Sequence, residues 1–467
     1  IVSGDGTLEQ AGSNTLTVSG NNAAYNGTLD ITAGEVLLGD ANALGATPTV
    51  SGSGGTLSIG NGVTLPSLTT SGSLSLGSDI ATAGAQVHGA DLVLAAGNKV
   101  GETVTPLEMT TADADITFNG TLTAGAGAKD AKRSVLVDAG TGVVTVNAKV
   151  GQDLLDGDSR ILWTDYPEAD TNPYRFNVKA GTINLNADIT TFEEQIYEGP
   201  VRIGSTADSD AVRLLVSLDP AVRFSGTIDD ATANGGVHGL AVYAVSSVDA
   251  NDPDFVVPVI DFAGAVGATN PLERLIAEVG MQDQTSGALA ADIDLGDRSD
   301  ADAFFGEVRI ADDIWTSSAV QRYVGRDVRL GQSVEFKTAA RQGGWSPEFV
   351  RGTDPVSGAA RPFIGYPGVS SFSNPVFSAS QRLPGSVDPA NVVPSLAFLK
   401  GLLNAQGAEV NAADALDIEL LAMGLMTGEV QVGEVRTAGA AGSADADADV
   451  PVFCEDDPDN PDCRVAE

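Results

Sequence analysis

Several residue types are scarce in this sequence, and each scarcity narrows the range of functions. The 467 residues include two histidines and two cysteines, which leaves few side chains for zinc sites or for pairs of nucleophile and base. The sequence contains no Gly-x-Ser-x-Gly elbow, P-loop, Rossmann fingerprint or His-Glu-x-x-His, so hydrolase and nucleotide chemistry have no visible support. It also has no run of 18 apolar residues, so we expect no segment to cross a membrane as a helix.

Positive charge is scarce as well. The chain carries 25 Lys and Arg against 63 Asp and Glu, a formal net charge of −38 at pH 7. Such a charge repels nucleic-acid phosphates and anionic lipid surfaces, and no basic patch offsets it, so we predict that the protein binds no nucleic acid. High acidity is typical of a protein that stays soluble outside the cell, with recruitment of cations as the alternative.

The abundant residues indicate short β-strands. The sequence has 55 glycines, and apolar residues alternate with polar ones in phrases such as Leu29/Ile31 and Val36/Leu38, which is the period of a strand with one buried face. Each phrase lasts four to six residues and a glycine ends it. Short strands at regular intervals fit a β-sandwich, a β-barrel or a parallel β-helix, so their spacing alone does not choose among these folds.

Internal repetition favours stacked coils. One pattern, an Ile followed by Gln and, two residues later, a ring, occurs three times. Its Gln and ring positions are Gln86 with His88, Gln195 with Tyr197, and Gln321 with Tyr323. A second pattern places an inward-pointing Phe two residues before a glycine corner, at Phe118, Phe224 and Phe262. Repetition of this kind predicts structural residues of coils that share one continuous core.

These phrases also carry a resemblance. The Gly, Thr, Leu and Asn phrase at 14–45 is similar to the strand repeat of autotransporter passenger domains. The Gln and Phe patterns, with Asn270-Pro-Leu272 after the last, resemble the repeats of filamentous-haemagglutinin-type exoproteins exported by two-partner secretion. The resemblance covers about residues 10–335. It implies a right-handed parallel β-helix, exported through an outer-membrane transporter to the bacterial cell surface, where it binds a receptor or glycan of a host or neighbouring cell without catalysis.

The sequence texture divides the chain into five parts. Residues 1–335 are predicted to form the parallel β-helix repeats, and 336–395, where Pro and Gly break the alternation, an irregular capping or wrapping region. Leu, Ile and Met at helical spacing predict short helices within 396–430. Residues 431–453 have the composition of a flexible acidic linker. Residues 454–467 form the C-terminal tail, which holds both cysteines.

The two cysteines are expected to pair with each other. Cys454 and Cys463 flank two Asx and Pro steps that promote turns, and no His or third Cys lies nearby to complete a zinc site. A bridge there predicts an oxidising, extracytoplasmic location. The resemblance implies that the bridged loop cannot pass the transporter pore and so anchors the fibre. The alternative is a small disulfide that only stabilises the C-terminus and anchors nothing.

The remaining candidates for chemistry are weaker. His88 and His238 are interpreted as surface or turn residues rather than catalysts, and His88, which takes the ring position that Tyr197 and Tyr323 hold in the other copies, is assigned a structural role. We predict no cofactor except calcium, for which Asp445, Asp447 and Asp449 alternate like the opening of a calcium loop, although Val450 replaces the glycine that an EF-hand requires. Candidates for a polysaccharide-cleaving site include two adjacent acidic pairs, Asp229/Asp230 and Asp312/Asp313. Such pairs are expected by chance in so acidic a chain.

Three functions therefore stay open at this stage. A surface adhesin needs only a stiff rod and a binding side or tip. A self-assembling extracellular filament would stack the strand edges of neighbouring copies end to end. A protein that binds or cleaves polysaccharides would need a cleft, with stacking rings or clustered acids, that the sequence does not reveal.

Overall fold

A computed structural model of the protein describes residues 2–379, with gaps at 96–97, 101–102, 126–132, 152–171, 207–211, 218–220, 234, 247–255, 282–305, 340–344, 353 and 355–356. This described part consists of strands and connecting turns and contains no helix, so no helix long and apolar enough to cross a membrane occurs in it. The predicted short helices, acidic linker, calcium candidates and cysteine loop all lie outside the described residues.

The strands are short and follow one another at close intervals. Their bounds are β1 Thr7–Gln10, β2 Thr15–Val18, β3 Thr28–Ile31, β4 Glu35–Leu38, β5 Thr49–Ile59, β6 Thr64–Leu65, β7 Leu68–Leu76, β8 Ile80–Thr82, β9 Gln86–His88, β10 Asp91–Leu94, β11 Asn98–Val100, β12 Thr103–Thr105, β13 Leu107–Thr111, β14 Ile116–Phe118, β15 Leu122–Ala124, β16 Val135–Asp138, β17 Val143–Val146, β18 Phe176–Lys179, β19 Thr182–Leu185, β20 Ile189–Thr191, β21 Gln195–Glu198, β22 Val201–Ile203, β23 Val212–Ser217, β24 Ala221–Phe224, β25 Ile228–Asp230, β26 Gly239–Ser246, β27 Val259–Phe262, β28 Leu275–Met281, β29 Glu307–Ile310, β30 Ile314–Thr316, β31 Gln321–Gly325, β32 Asp327–Leu330, β33 Glu335–Thr338, β34 Glu348–Arg351, β35 Ile364–Gly365 and β36 Val376–Ala379.

The strands assemble into long parallel sheets. One sheet has 14 strands, a second has 11, a third has 6 and a fourth has 3. The described pairings in these sheets are parallel, and only the separate pair β11 and β12 is antiparallel. The prediction of an all-β fold with parallel strands is thereby confirmed for the described residues.

Consecutive strands pair with consecutive strands further along the chain. Strands β8, β9 and β10 pair in parallel with β13, β14 and β15, respectively. The same order recurs later, where β20, β21 and β22 pair with β23, β24 and β25. Each passage of the chain therefore lies directly on the previous one. The three short strands of one passage pair, in the same order, with the three short strands of the next.

In-register pairing aligns the alternating apolar residues into columns. Leu29 of β3 lies opposite Val50 of β5, and both side chains are fully buried. Because side chains alternate between the two faces of a strand, the residues between them point outward and are polar. The buried columns merge into one hydrophobic cluster that extends from Val18 to Trp345. This shared core explains why each segment can be so short, since no single passage has to bury its own apolar face.

The parallel sheets continue past residue 335, the end predicted for the repeats. Strand β33 pairs with β36, β31 with β34, and β32 with β35. The range 336–395, predicted as an irregular capping region, thus contributes one more layer of strands as far as residue 379, separated by longer connections than those of the preceding layers.

Candidate functional sites inside and outside the stack

The first copy of the Gln pattern lies entirely inside the core. Gln86 and His88, at the two ends of β9, are both fully buried. The Gln86 amide nitrogen donates to the backbone oxygen of Thr110 at 2.8 Å, and Thr110 belongs to the next layer, where it lies opposite Ala81. The His88 ring nitrogen Nε2 lies 3.1 Å from the Gln86 amide oxygen. Since that oxygen can only accept, the neutral ring carries its proton on Nε2.

The other two copies repeat this geometry. Gln195 donates to the backbone oxygen of Val216 at 2.8 Å, and its amide oxygen accepts from the Tyr197 hydroxyl at 2.8 Å. Gln321 donates to the backbone oxygen of Lys337 at 2.7 Å and accepts from Tyr323 at 3.3 Å. In each copy the Gln side-chain amide therefore links its own strand by a hydrogen bond to the backbone of the next layer along the chain. These contacts satisfy polar groups that have no access to water, which gives the repeated Gln a structural role.

The rings of the two patterns stack on one another along the core. The His88 and Phe118 ring centroids are 5.4 Å apart, and those of Tyr197 and Phe224 are 5.1 Å apart. Phe262 continues the second stack at 5.5 Å from Phe224. Burial lowers the pKa of His88 to about 3, so the ring is neutral near pH 7 and packs as an aromatic. The interpretation of His88 as a surface residue is wrong, because the ring is fully buried; its structural role, inferred from its equivalence with Tyr197 and Tyr323, agrees with its stacking on Phe118.

The glycine of the Phe pattern is required by close approach of two layers. A Cβ atom on Gly264 would lie 2.6 Å from the backbone oxygen of Gly226, the equivalent residue of the preceding copy. No side chain fits at that distance. The repeated Gln, ring and glycine residues therefore all have the same structural role, which is to hold neighbouring layers of the stack together.

A buried acidic and histidine cluster lies at one corner of the stack. The Asp230 side chain, at the end of β25, is fully buried. Its carboxylate accepts hydrogen bonds from the backbone nitrogens of Thr232, Val237 and His238 at 2.7–2.8 Å. The same carboxylate lies 2.9 Å from the His238 ring nitrogen Nδ1, and the His238 side chain is 15% exposed. Asp230 therefore holds the turn 231–238 closed and orients the His238 ring.

Glu273 is the second buried acid of this corner. It is 4% exposed, and its backbone nitrogen donates to the backbone oxygen of His238 at 2.8 Å. Burial, together with the nearby Asp230 charge, raises the pKa of Glu273 to about 7, although Arg274 opposes the shift. The Arg274 nitrogen Nε lies 3.4 Å from the Glu273 carboxylate. Among the described residues, no group of three or more His, Cys, Asp and Glu is placed to hold a metal ion.

Asp229 and Asp313 of the two acidic pairs bind backbone groups of neighbouring layers, whereas Asp312 accepts from the backbone nitrogen of the adjacent Asp313. Asp229 accepts from the backbone nitrogens of Thr269 and Asn270 at 2.8 and 3.0 Å. Asp313 accepts from the backbone nitrogen of Glu335 at 2.9 Å and lies 3.1 Å from the Lys337 ammonium. These carboxylates cap exposed corners of the stack. The structure does not place either pair around a described cleft.

A shallow and largely open polar depression, called the groove below, lies on the outer face of the first layers. It has a volume of about 460 Å³. Its central residues, Thr15, Glu35 and Thr56, lie side by side in β2, β4 and β5, and Thr15 donates to the Glu35 carboxylate at 3.0 Å. The full lining is Ser13, Thr15, Gly34, Glu35, Thr56, Gly77 and Ala95. Hydroxyls and one carboxylate suit a polar, uncharged or cationic ligand that lies along the stacking direction.

Sequence patterns missed the corner cluster and the groove. Asp230 was visible as half of an acidic pair, but Glu273 and His238 lie 43 and 8 positions further along the chain, and no spacing rule connects them. Comparisons with known proteins add no further assignment: no family model, no curated protein and no solved structure matches this chain.

Proposed function

We propose that the chain is a non-catalytic rod, a right-handed parallel β-helix from a secreted bacterial surface adhesin of the filamentous-haemagglutinin type. The observation that carries this proposal is the pairing of β8, β9 and β10 with β13, β14 and β15 in unbroken parallel order. A chain that lies on its own previous passage grows in one direction as residues are added. Length and stiffness are the properties that such growth supplies.

The distribution of side chains supports a mechanical role. The repeated Gln, ring and glycine residues hold layers together, and so do the carboxylates of Asp229 and Asp313. With a net charge of −38, the outer surface keeps the rod soluble and repels anionic membranes. Its proposed partners are the outer-membrane transporter that exports it and a receptor or glycan on another cell.

The shape of the purified protein tests this proposal. We expect small-angle scattering to give a cross-section that stays constant as concentration rises, with single rods in negative-stain images. Rods that lengthen with concentration would instead favour the self-assembling filament. A compact globule would contradict both the rod and the filament.

Anchoring is tested separately through the C-terminal cysteines. We propose that Cys454 and Cys463 form the loop that stops the fibre in the transporter pore. In cells that express the protein with its transporter, Cys454→Ser should release the fibre into the medium. Asp462→Ser, which changes the same loop but keeps both thiols, is the matched control and should leave the fibre on the cells. Equal retention of both variants would contradict the anchor.

The groove favours one second function, the binding of a linear glycan. The first basic residue of the chain is Lys99, so the layers that form the groove contribute no positive charge from their own sequence. We therefore expect neutral or amine-bearing glycans to bind in preference to anionic ones. Binding on a glycan array should weaken with Thr56→Val, which removes a hydroxyl from the groove but keeps the β-branched shape. Thr117→Val, in an outward position of β14, is the control.

A further inference from the structure

The described part of the chain contains three Asn-Gly pairs, at Asn26-Gly27, Asn61-Gly62 and Asn119-Gly120. In such a pair the backbone nitrogen of the glycine can attack the side-chain carbonyl carbon of the asparagine, because glycine has no Cβ to obstruct the approach. The attack needs a glycine N–H that is not held in a hydrogen bond and a backbone with room to rotate. The surroundings of each pair therefore decide whether it can react.

The pair Asn119-Gly120 is held firmly in the stack. The Gly120 nitrogen donates to the backbone oxygen of His88 at 3.1 Å, and the Asn119 side-chain oxygen accepts from the Asn147 side-chain amide at 2.8 Å. A Cβ atom on Gly120 would lie 2.1 Å from the backbone oxygen of Ala90, so the preceding layer leaves no room for rotation. Neither the attacking nitrogen nor the attacked side chain is available in the folded protein.

Close packing also restrains the pair Asn26-Gly27. The Asn26 backbone nitrogen donates to the backbone oxygen of Gly4 at 2.9 Å. Gly27 is buried, and a Cβ atom on it would lie 1.9 Å from the backbone oxygen of Gly6 and 2.8 Å from the Tyr25 ring. The glycine therefore cannot rotate toward the exposed Asn26 side chain without disturbing the first layers.

The pair Asn61-Gly62 lies in an open turn. Both residues are exposed, and apart from its chain neighbours no atom lies within 4 Å of the place that a Gly62 Cβ would take. The turn is closed by one hydrogen bond, from the Val63 nitrogen to the Gly60 oxygen at 2.9 Å. A φ of 76° at Gly62 is typical of the third residue of a type II turn, in which the bonded N–H belongs to the fourth residue. The Gly62 N–H is therefore left for the reaction.

We propose that Asn61 is a site of spontaneous deamidation, which the fold leaves reactive while it protects the other two pairs. The Gly62 nitrogen forms a bond to the Asn61 side-chain carbonyl carbon. The bond from that carbon to the side-chain nitrogen breaks, and ammonia leaves with the proton of the Gly62 amide. The product is a cyclic imide, a succinimide. One water molecule then opens the ring at either carbonyl, which gives isoaspartate or aspartate, and no oxidant, reductant or enzyme is needed.

The modified turn leads directly into β6. Among the described strands, β6 pairs only with β8, through Thr64 with Ala81 and Leu65 with Thr82, and Leu65 is fully buried. Isoaspartate adds a methylene to the backbone of the turn, so it shifts the entry to this short strand. Either product also adds a negative charge, and no basic residue precedes Lys99 in the sequence. We therefore expect β6 to loosen while the deeper layers keep their structure.

Peptide mapping of the aged full chain tests the proposal. The folded protein is incubated at mildly alkaline pH in water labelled with heavy oxygen, and the peptides that contain Asn26, Asn61 and Asn119 are quantified by mass spectrometry. We expect Asn61 to convert at least about ten-fold faster than the other two, which react only after local opening. Both isoaspartate and aspartate should form, each with the label. Equal rates at the three pairs would overturn the proposal, and aspartate alone would overturn the cyclic route.

The same measurement in concentrated urea separates the fold from the local sequence. Without the stack, the three pairs share one chemistry, and their rates should converge. A persistent preference for Asn61 in urea would show that the fold does not protect the other pairs and would contradict the proposal.

A matched variant tests the effect on β6. Asn61→Gln keeps a polar amide in the turn, but its longer side chain closes a ring far more slowly. On ageing, amide exchange in β6 should rise in the wild type and stay constant in this variant, and β24, deep in the stack, should not change in either. Equal behaviour of β6 in the two proteins would contradict the predicted loosening.

Discussion

Glu273 should make the stability of its corner depend on pH. Its pKa is raised from 4.5 to about 7, mainly by burial. An acid whose pKa is raised on folding holds its proton more tightly in the folded state. Its stabilising contribution is therefore fully present below about pH 4.5 and is lost as the pH rises toward the folded-state pKa of about 7.

The size of this effect follows from the shift itself. A change from 4.5 to about 7 corresponds to about 3 kcal/mol at roughly 1.4 kcal/mol per pKa unit. Glu273→Gln resembles the protonated acid and has no charge to lose. The variant should match the wild type near pH 4 and exceed its free energy of unfolding by up to about 3 kcal/mol near pH 8.

The assay is urea unfolding of both proteins across this pH range, with hydrogen exchange in β26 and β28 as the local readout. Glu335→Gln is the control with the opposite sign. Partial burial raises the pKa of Glu335, but hydrogen bonds from Ser378 and Lys337 outweigh it and hold this pKa below its usual value. The free energy of unfolding of the wild type should therefore rise relative to that of the Glu335 variant only as the pH increases through the region below and around 4.5, and the difference should stay constant at higher pH. A constant difference between wild type and Glu273→Gln at all pH values would refute the reasoning.

Three further predictions concern the repeat and the calcium candidates. Gln195→Leu should lower the free energy of unfolding by about 2–3 kcal/mol, because it removes the hydrogen bond to the Val216 carbonyl and takes away the acceptor of the buried Tyr197 hydroxyl; Asn184→Leu, at a partly exposed position, is its control in thermal melts. Gly264→Ala should destabilise more than an alanine at an open glycine such as Gly6, because its Cβ meets the Gly226 carbonyl; the same melts measure both. Calorimetry at millimolar calcium should show weak binding. This binding should be lost when Asp445, Asp447 and Asp449 are all changed to Asn. Equal heats of calcium binding for the wild type and this triple variant would exclude the site.

The repeat could be predicted because its signals are local. Gln195, Tyr197 and the residues around them lie within one short stretch of chain, and their spacing recurs around Gln86 and Gln321. Alternation of apolar residues over four to six positions identifies a strand without any knowledge of its partner. The equivalence of His88 and Tyr197 also followed from their shared position in the pattern, although the burial of His88 did not.

The corner cluster could not be predicted because its members come from different layers. Glu273 approaches Asp230 and His238 only after the chain has passed through β26 and β27. The raised pKa of Glu273 depends on burial and on the charge of Asp230, and neither is a property of the neighbouring sequence. The polar groove likewise exists only because Thr15, Glu35 and Thr56 are brought side by side by strand pairing.

By itself, then, the sequence determined the short strands, their inward-facing residues and the unit that repeats, since each depends on residues a few positions apart. The tertiary structure alone decided which strands lie on one another, and hence which carboxylates cap a corner and which are buried. The physical reason is that parallel pairing joins residues some 20 to 40 positions apart, as with Thr7 and Thr28 or Phe224 and Phe262. Desolvation and hydrogen bonding act across those contacts, and they distinguish Asp229 and Asp313, which cap corners, from Glu273, whose pKa is raised to about 7.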